Sequence, residues 1–182
     1  MIETSIARRY ARALFELGKE EGKVGEFFAG LEALNLLFKS HADLLEVIAN
    51  RFLDLPSRLT SIDQISERMG LAIEVKNFTK LLIRKGRVRL MDAIVAAYKR
   101  LLFALENREE ATIVTARPLP SGVSEKIRSV LEQMTRKKIV TRMEIKPEVL
   151  GGMAVRIGGE IFDGTVRGDL DRMSERMKDA IV

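Results

Sequence analysis

Leu105-Glu106-Asn107-Arg108-Glu109-Glu110-Ala111-Thr112-Ile113-Val114-Thr115-Ala116-Arg117-Pro118 is the stretch on which the fold turns. Before it, apolar residues recur at helical spacing. From Ala111 onward β-branched residues take over and the period shortens toward two. Ala111 to Ala116 predicts a strand that stops at Arg117-Pro118. Ser121 to Lys137 then predicts a helix, with Val123, Ile127, Val130, Leu131 and Met134 apolar. Ile139, Thr141, Met143 and Ile145 alternate with more polar residues as a second strand, which Pro147 ends. Gly151-Gly152 leads into a strand from Met153 to Ile157, and Gly158-Gly159 makes a tight hairpin turn into Glu160 to Asp163. A last helix carries Leu170, Met173, Met177 and Ile181.

Upstream, the chain reads as a run of helices. Residues 5–20 place Ile6, Tyr10, Ala13, Leu14 and Leu17 on one stripe, with Ala7, Ala11 and Phe15 on a second beside it. A second helix runs from Val24 to Phe38. Ser40-His41-Ala42-Asp43 fits a capping box that opens a short third helix. Pro56 suits the first turn of a fourth, which Gly70 closes. The fifth covers Glu74 to Lys85, capped by Gly86, and the sixth runs from Arg89 to Glu106. The expected class is therefore α+β: a six-helix bundle over residues 1–106, then a small mixed α/β domain over residues 107–182. The joint, near Glu106 to Glu110, is expected to bend.

Composition removes several functions. The chain has 182 residues, 46% hydrophobic and 31% charged, with formal net charge +5, no cysteine, no tryptophan and one histidine, His41. Disulfides, thiol catalysis and cysteine metal ligands are excluded. A serine triad would have only His41 as its base. No apolar run approaches the ~18 residues of a membrane span. The opening Met1-Ile2-Glu3-Thr4-Ser5 leads directly into helical spacing, so no targeting segment is expected.

No Gly-x-x-x-x-Gly-Lys-Ser/Thr loop or strand-borne Gly-x-Gly-x-x-Gly occurs. The carboxylate doublets Glu20-Glu21 and Glu109-Glu110 sit at element ends and read as solvated surface. Arg84-Lys85-Gly86-Arg87-Val88-Arg89 and Arg136-Lys137-Lys138 are the densest basic runs. Each could track phosphates. Each equally suits a helix C-terminus, where cations meet the negative end of the macrodipole. No catalytic site, cofactor or metal is expected. A binding module remains. The small-residue stripe of the first helix could let a partner helix approach in a groove, with the fifth helix as second wall, or both stripes could face the bundle. The methionines of the last helix could be core or an adaptable partner surface.

These residues also carry a family likeness. Ala7-Arg8-Arg9-Tyr10-Ala11-Arg12-Ala13-Leu14-Phe15, then Asn77-Phe78 with Leu81-Leu82 and Gly86-Arg87, then Thr115-Ala116-x-Pro118-Leu119 occur in order. They are followed by Ile139-x-Thr141-x-x-x-Ile145-Lys146-Pro147-x-Val149-x-Gly151-Gly152-x-x-Val155-Arg156-x-Gly158 and Asp163-Gly164-Thr165-Val166-Arg167. Together they resemble the delta subunit of bacterial and chloroplast rotary ATP synthases, whose mitochondrial counterpart is the oligomycin-sensitivity-conferring protein. Lys146 departs from the pattern, which commonly has an acidic residue before the proline.

The resemblance implies a non-catalytic stator subunit, one copy per complex, at the cytoplasmic face of the bacterial membrane. It would link the N-terminal segment of an alpha subunit of the catalytic head to the b subunits of the peripheral stalk, so that proton-driven rotation is coupled to ATP synthesis. The alpha contact it implies is Ala7, Tyr10, Ala11 and Leu14 with Asn77, Phe78 and Leu81, and the b contact is Leu170, Met173 and Met177. Ala11→Arg is then expected to abolish head binding while sparing the fold. The competing class is a basic nucleic-acid-binding adaptor working through Arg84 to Arg89.

Overall fold

The two stripes of the first helix settle how the helical part is built. Helix α1 (Ile2–Glu21) turns Ala7, Ala11, Leu14 and Phe15 into the core, where Ala7 keeps 1% of its surface and Ala11 none. The two alanines are small enough for neighbouring helices to close over them. Helices α2 (Val24–Ser40), α3 (Ala42–Ala49), α4 (Leu55–Arg68), α5 (Ile73–Arg84) and α6 (Met91–Leu105) complete the helical part, with a 3-10 turn at Val88–Leu90 before α6. Phe27, Leu31, Leu34, Ile48, Ile62, Leu82, Ile94 and Tyr98 fill one continuous core. The computed structural model describes residues 2–149, 151–170 and 173. It divides into two compact units between Leu102 and Phe103, whereas the sequence places the joint between residues 106 and 107.

Tyr98 is the largest side chain wholly buried in the helical unit. Its ring meets Phe15 edge-on at 5.5 Å and stacks on Phe28 at 6.1 Å. Its hydroxyl donates to the Val24 carbonyl at 3.1 Å, so the one polar atom it brings inside is satisfied. Burial pushes that hydroxyl's pKa up to about 12.

Local sequence signals set the helix ends. Asp54 caps α4: its carboxylate accepts from the Ser57 backbone N–H at 3.1 Å and from the Ser57 hydroxyl at 2.9 Å, with Pro56 in the first turn. The expected capping box at Ser40 does not form. Ser40 still belongs to α2, and its hydroxyl donates back to the Leu36 carbonyl at 2.7 Å. Only His41 separates α2 from α3, and it caps without a side-chain bond. With His41 as the N-cap, the N3 position falls on Leu44, so neither end of a box carries the side chain it needs.

The second unit is a four-stranded sheet in the order β2-β1-β3-β4, formed by β1 (Arg108–Thr115), β2 (Lys138–Ile145), β3 (Gly152–Ile157) and β4 (Glu160–Thr165). β1 and β2 are parallel and joined by α7 (Ser121–Thr135), while β3 runs antiparallel to both β1 and β4. Ala111, Ile113, Leu131, Ile139, Val155 and Ile157 make its core. The first strand starts three residues earlier than its apolar pattern suggests. Arg108, Glu109 and Glu110 pair with Lys138, Ile139 and Val140, and ladder bonds outweigh the low strand propensity of charged residues. The β3–β4 turn needs its two glycines: Ile157 pairs with Glu160, and Gly158 and Gly159 take φ of 57° and 95°. After β4 the chain is helical over 166–170. The mixed architecture agrees with the α+β expectation.

Candidate docking groove

The same periodicity that buries Ala7 and Ala11 leaves another face of α1 without a lid. Ile6, Tyr10, Ala13 and Leu17, spaced four, three and four residues apart, form one stripe along it. On α5, Glu74, Asn77, Phe78 and Leu81 share a face for the same reason. The two faces enclose an open groove of about 740 Å³, whose lining also takes in Leu14, Arg9 and Arg87. Leu14 and Phe78 are nearly buried and form the floor. Leu17 and Leu81 are walls, at 38% and 42% exposed. Tyr10 meets Phe78 edge-on at 6.2 Å and ties the helices together across the groove.

The polar groups lie toward the ends. Lys23, just beyond α1, lies 3.9 Å from Glu74 in the first turn of α5. With Tyr10 against Phe78, this makes the two helices run in broadly opposite senses. Arg9 and Arg87 therefore stand toward the end away from Glu74. Lys23 also donates to Glu21 at 3.1 Å, and this bond, followed by the field of Glu74, raises its pKa. Asn77 is exposed on the groove face and offers an amide for orienting an occupant. Apolar floor and walls with sparse polar groups suit an amphipathic helix.

Five of the expected partner residues, Tyr10, Leu14, Asn77, Phe78 and Leu81, come together in this groove. Ala7 and Ala11 do not. They are core residues, so the expectation that they face a partner is corrected, and with it the expectation that Ala11→Arg would spare the fold. The alanine on the groove face is Ala13. Ile6, Arg9, Ala13, Leu17, Glu74 and Arg87 complete the lining beyond the residues that the sequence singled out. Ile6, Ala13 and Leu17 already lay on the Tyr10 stripe in the sequence. In the second unit, Leu170 and Met173 are 54% and 59% exposed, while Met177 lies outside the described residues.

Among the described residues, no group of three or more metal-ligating side chains gathers, and no helix is long and apolar enough to cross a membrane.

Comparisons with known proteins agree with the motifs. Residues 6–177 match the family described as ATP synthase delta (OSCP) subunit. The ATP synthase subunit delta of Desulfatibacillum aliphaticivorans is 33% identical over 178 residues, covering 98% of this chain and 97% of that protein. The subunit of the same name from Geobacter sp. strain M21 is 33% identical over 175 residues, covering 96% and 97%. Among solved structures, a chain of the Toxoplasma gondii mitochondrial ATP synthase hexamer shares the fold, with a TM-score of 0.75 at 17% identity over 94% of this chain and 96% of that one. The chain thus belongs to the ATP synthase delta (OSCP) subunit family.

Proposed function

We propose that this member of the ATP synthase delta (OSCP) family is a non-catalytic stator subunit that joins the catalytic head to the peripheral stalk. The helical unit, a six-helix bundle over about residues 1–106, takes the N-terminal segment of an alpha subunit in the α1–α5 groove. The second unit, residues 107–182, meets the b subunits through its last helix, by way of Leu170, Met173 and Met177. One copy per complex works at the cytoplasmic face of the bacterial membrane and keeps the head from turning with the rotor.

The observation that carries this reading is the open groove between α1 and α5, largely apolar with a few polar groups, and with an exposed alanine in one wall. An amphipathic helix would place anchors four and seven residues apart against Leu17, Tyr10 and Leu81. A few such anchors dominate the affinity of an interface. No specific observation favours the nucleic-acid alternative.

Proteoliposomes test the coupling role. An ATP synthase lacking this subunit should hydrolyse ATP but fail to make it under a proton gradient, and the added chain should restore synthesis. Synthesis at the same rate with and without the chain would refute the stator role.

A further inference from the structure

The α1–α5 groove leaves unexplained the most exposed aromatic of the described residues. Phe52, at the tip of the loop between α3 and α4, is fully exposed at 101%. Val47, Leu53 and Leu55 beside it in sequence are also exposed. We propose that this loop is a second docking surface. It receives an acidic polypeptide segment of the catalytic head that offers a cleft for the phenyl ring. The inference rests on the stator reading and adds a contact to it.

The loop is held ready for an occupant. The Asn50 side-chain oxygen accepts from the Phe52 backbone N–H at 2.9 Å, and Asp54 caps the helix that follows. Arg51 lies flat over Gly86 and donates to the Lys85 carbonyl at 3.5 Å. Gly86 takes φ of 65°, which favours glycine, and a β-carbon there would push the Arg51 guanidinium aside. Arg89 grips Glu46 through two bonds of 2.7 and 2.6 Å, fixing the end of α3 to the 3-10 turn. That clamp lowers the Glu46 pKa, so it holds at neutral pH. A loop ordered before binding loses little entropy when it docks.

Charge identifies the occupant. Arg84 and Lys85 are exposed, and neither they nor Arg51 nor Arg87 form an ion pair among the described residues. The two carboxylates of the patch are already engaged, Glu46 by Arg89 and Asp54 by the α4 cap. Phe52 shares its hollow with Arg51 and Arg89, and Lys85 and Arg87 flank the Gly86 that lines it; an exposed aromatic beside these cations is complemented by an apolar cleft with an acidic rim. The surface also continues the groove: Arg87 lines the groove, and Gly86 and Arg89 line the hollow beside Phe52. One aromatic at a tip is a poor platform for successive bases, so the protein occupant is favoured over a nucleic acid.

The test uses the full chain and the cognate catalytic head stripped of this subunit, with affinity measured by titration calorimetry. Phe52→Ser should keep the circular dichroism of the parent chain and lose roughly 30-fold in affinity for the head. It should bind a peptide of the alpha N-terminal segment as the parent does. Arg84→Ala with Lys85→Ala should weaken head binding at low salt, with the difference fading as salt rises. If Phe52→Ser binds the head normally while Leu81→Arg does not, the second surface is refuted and the groove stands. If both bind normally, the groove reading falls as well. Loss of binding to anionic vesicles or duplex DNA, with head affinity intact, would overturn the protein occupant.

Discussion

Arginine placed at Ala13 and at Ala11 should give opposite failures, though the two positions are adjacent to the same turn of α1. Ala13 faces the groove and is exposed, and arginine is almost as good a helix former as alanine. Ala13→Arg should therefore change stability by less than about 0.5 kcal/mol. Its side chain would stand in the groove where a docked helix must come within ~8–10 Å of α1. The expected loss of docking is about 3 kcal/mol, or roughly a hundredfold in Kd. Ala11 is wholly enclosed. Arginine there buries a charge that no carboxylate meets, at a cost of several kcal/mol plus overpacking, against a total stability of about 5–15 kcal/mol. The helical unit should lose its cooperative melt. Calorimetric titration with the alpha N-terminal peptide and thermal melts by circular dichroism read both effects. A stable Ala11→Arg chain that cannot bind, beside an Ala13→Arg chain that binds normally, would refute this assignment of the two faces.

Other perturbations follow from single contacts. Asp54→Ala removes the α4 cap and should cost about 1 kcal/mol, read as a melting temperature several degrees lower. Tyr98→Phe loses the bond to the Val24 carbonyl and should destabilise by about 1 kcal/mol in denaturant titrations. The folded pKa of Tyr98 near 12 lies above its unfolded value of 10.0. Its contribution is thus complete below pH 10 and falls as pH rises toward 12, because the unfolded chain gives up that proton first. Unfolding of the Tyr98→Phe chain should depend less on pH across that window. Gly158→Val forces a β-branched residue into φ of 57° and should weaken the second unit by more than 1 kcal/mol. Alpha-peptide affinity should be unaffected, since the groove lies wholly in the helical unit.

Period carried most of the fold in the sequence. The helical stripes, Pro56 at the start of α4 and the Gly158-Gly159 hairpin are local signals, and local chemistry forms them. The misreadings lie where neighbours decide. Both stripes of α1 are apolar at helical spacing, so nothing in the sequence says which one faces α2 and α6 and which stays open. The bulky stripe, Ile6-Tyr10-Ala13-Leu17, proved to be the groove wall, and the small one was needed inside for close packing. Arg108 to Glu110 look like a solvated linker until β2 supplies their ladder partners. Phe52 belongs to no periodic element, so no pattern singled it out. Its exposure is visible only when the loop around it is built.

An NMR titration of the isotope-labelled full chain with a peptide of the cognate alpha N-terminal segment tests the central claim most directly. Saturable shifts at Ile6, Tyr10, Ala13, Leu17, Phe78 and Leu81, with Ala7 and Ala11 moving only as their neighbours do, are the predicted result. Saturable shifts elsewhere with this groove silent, or no binding by a folded chain, would contradict it.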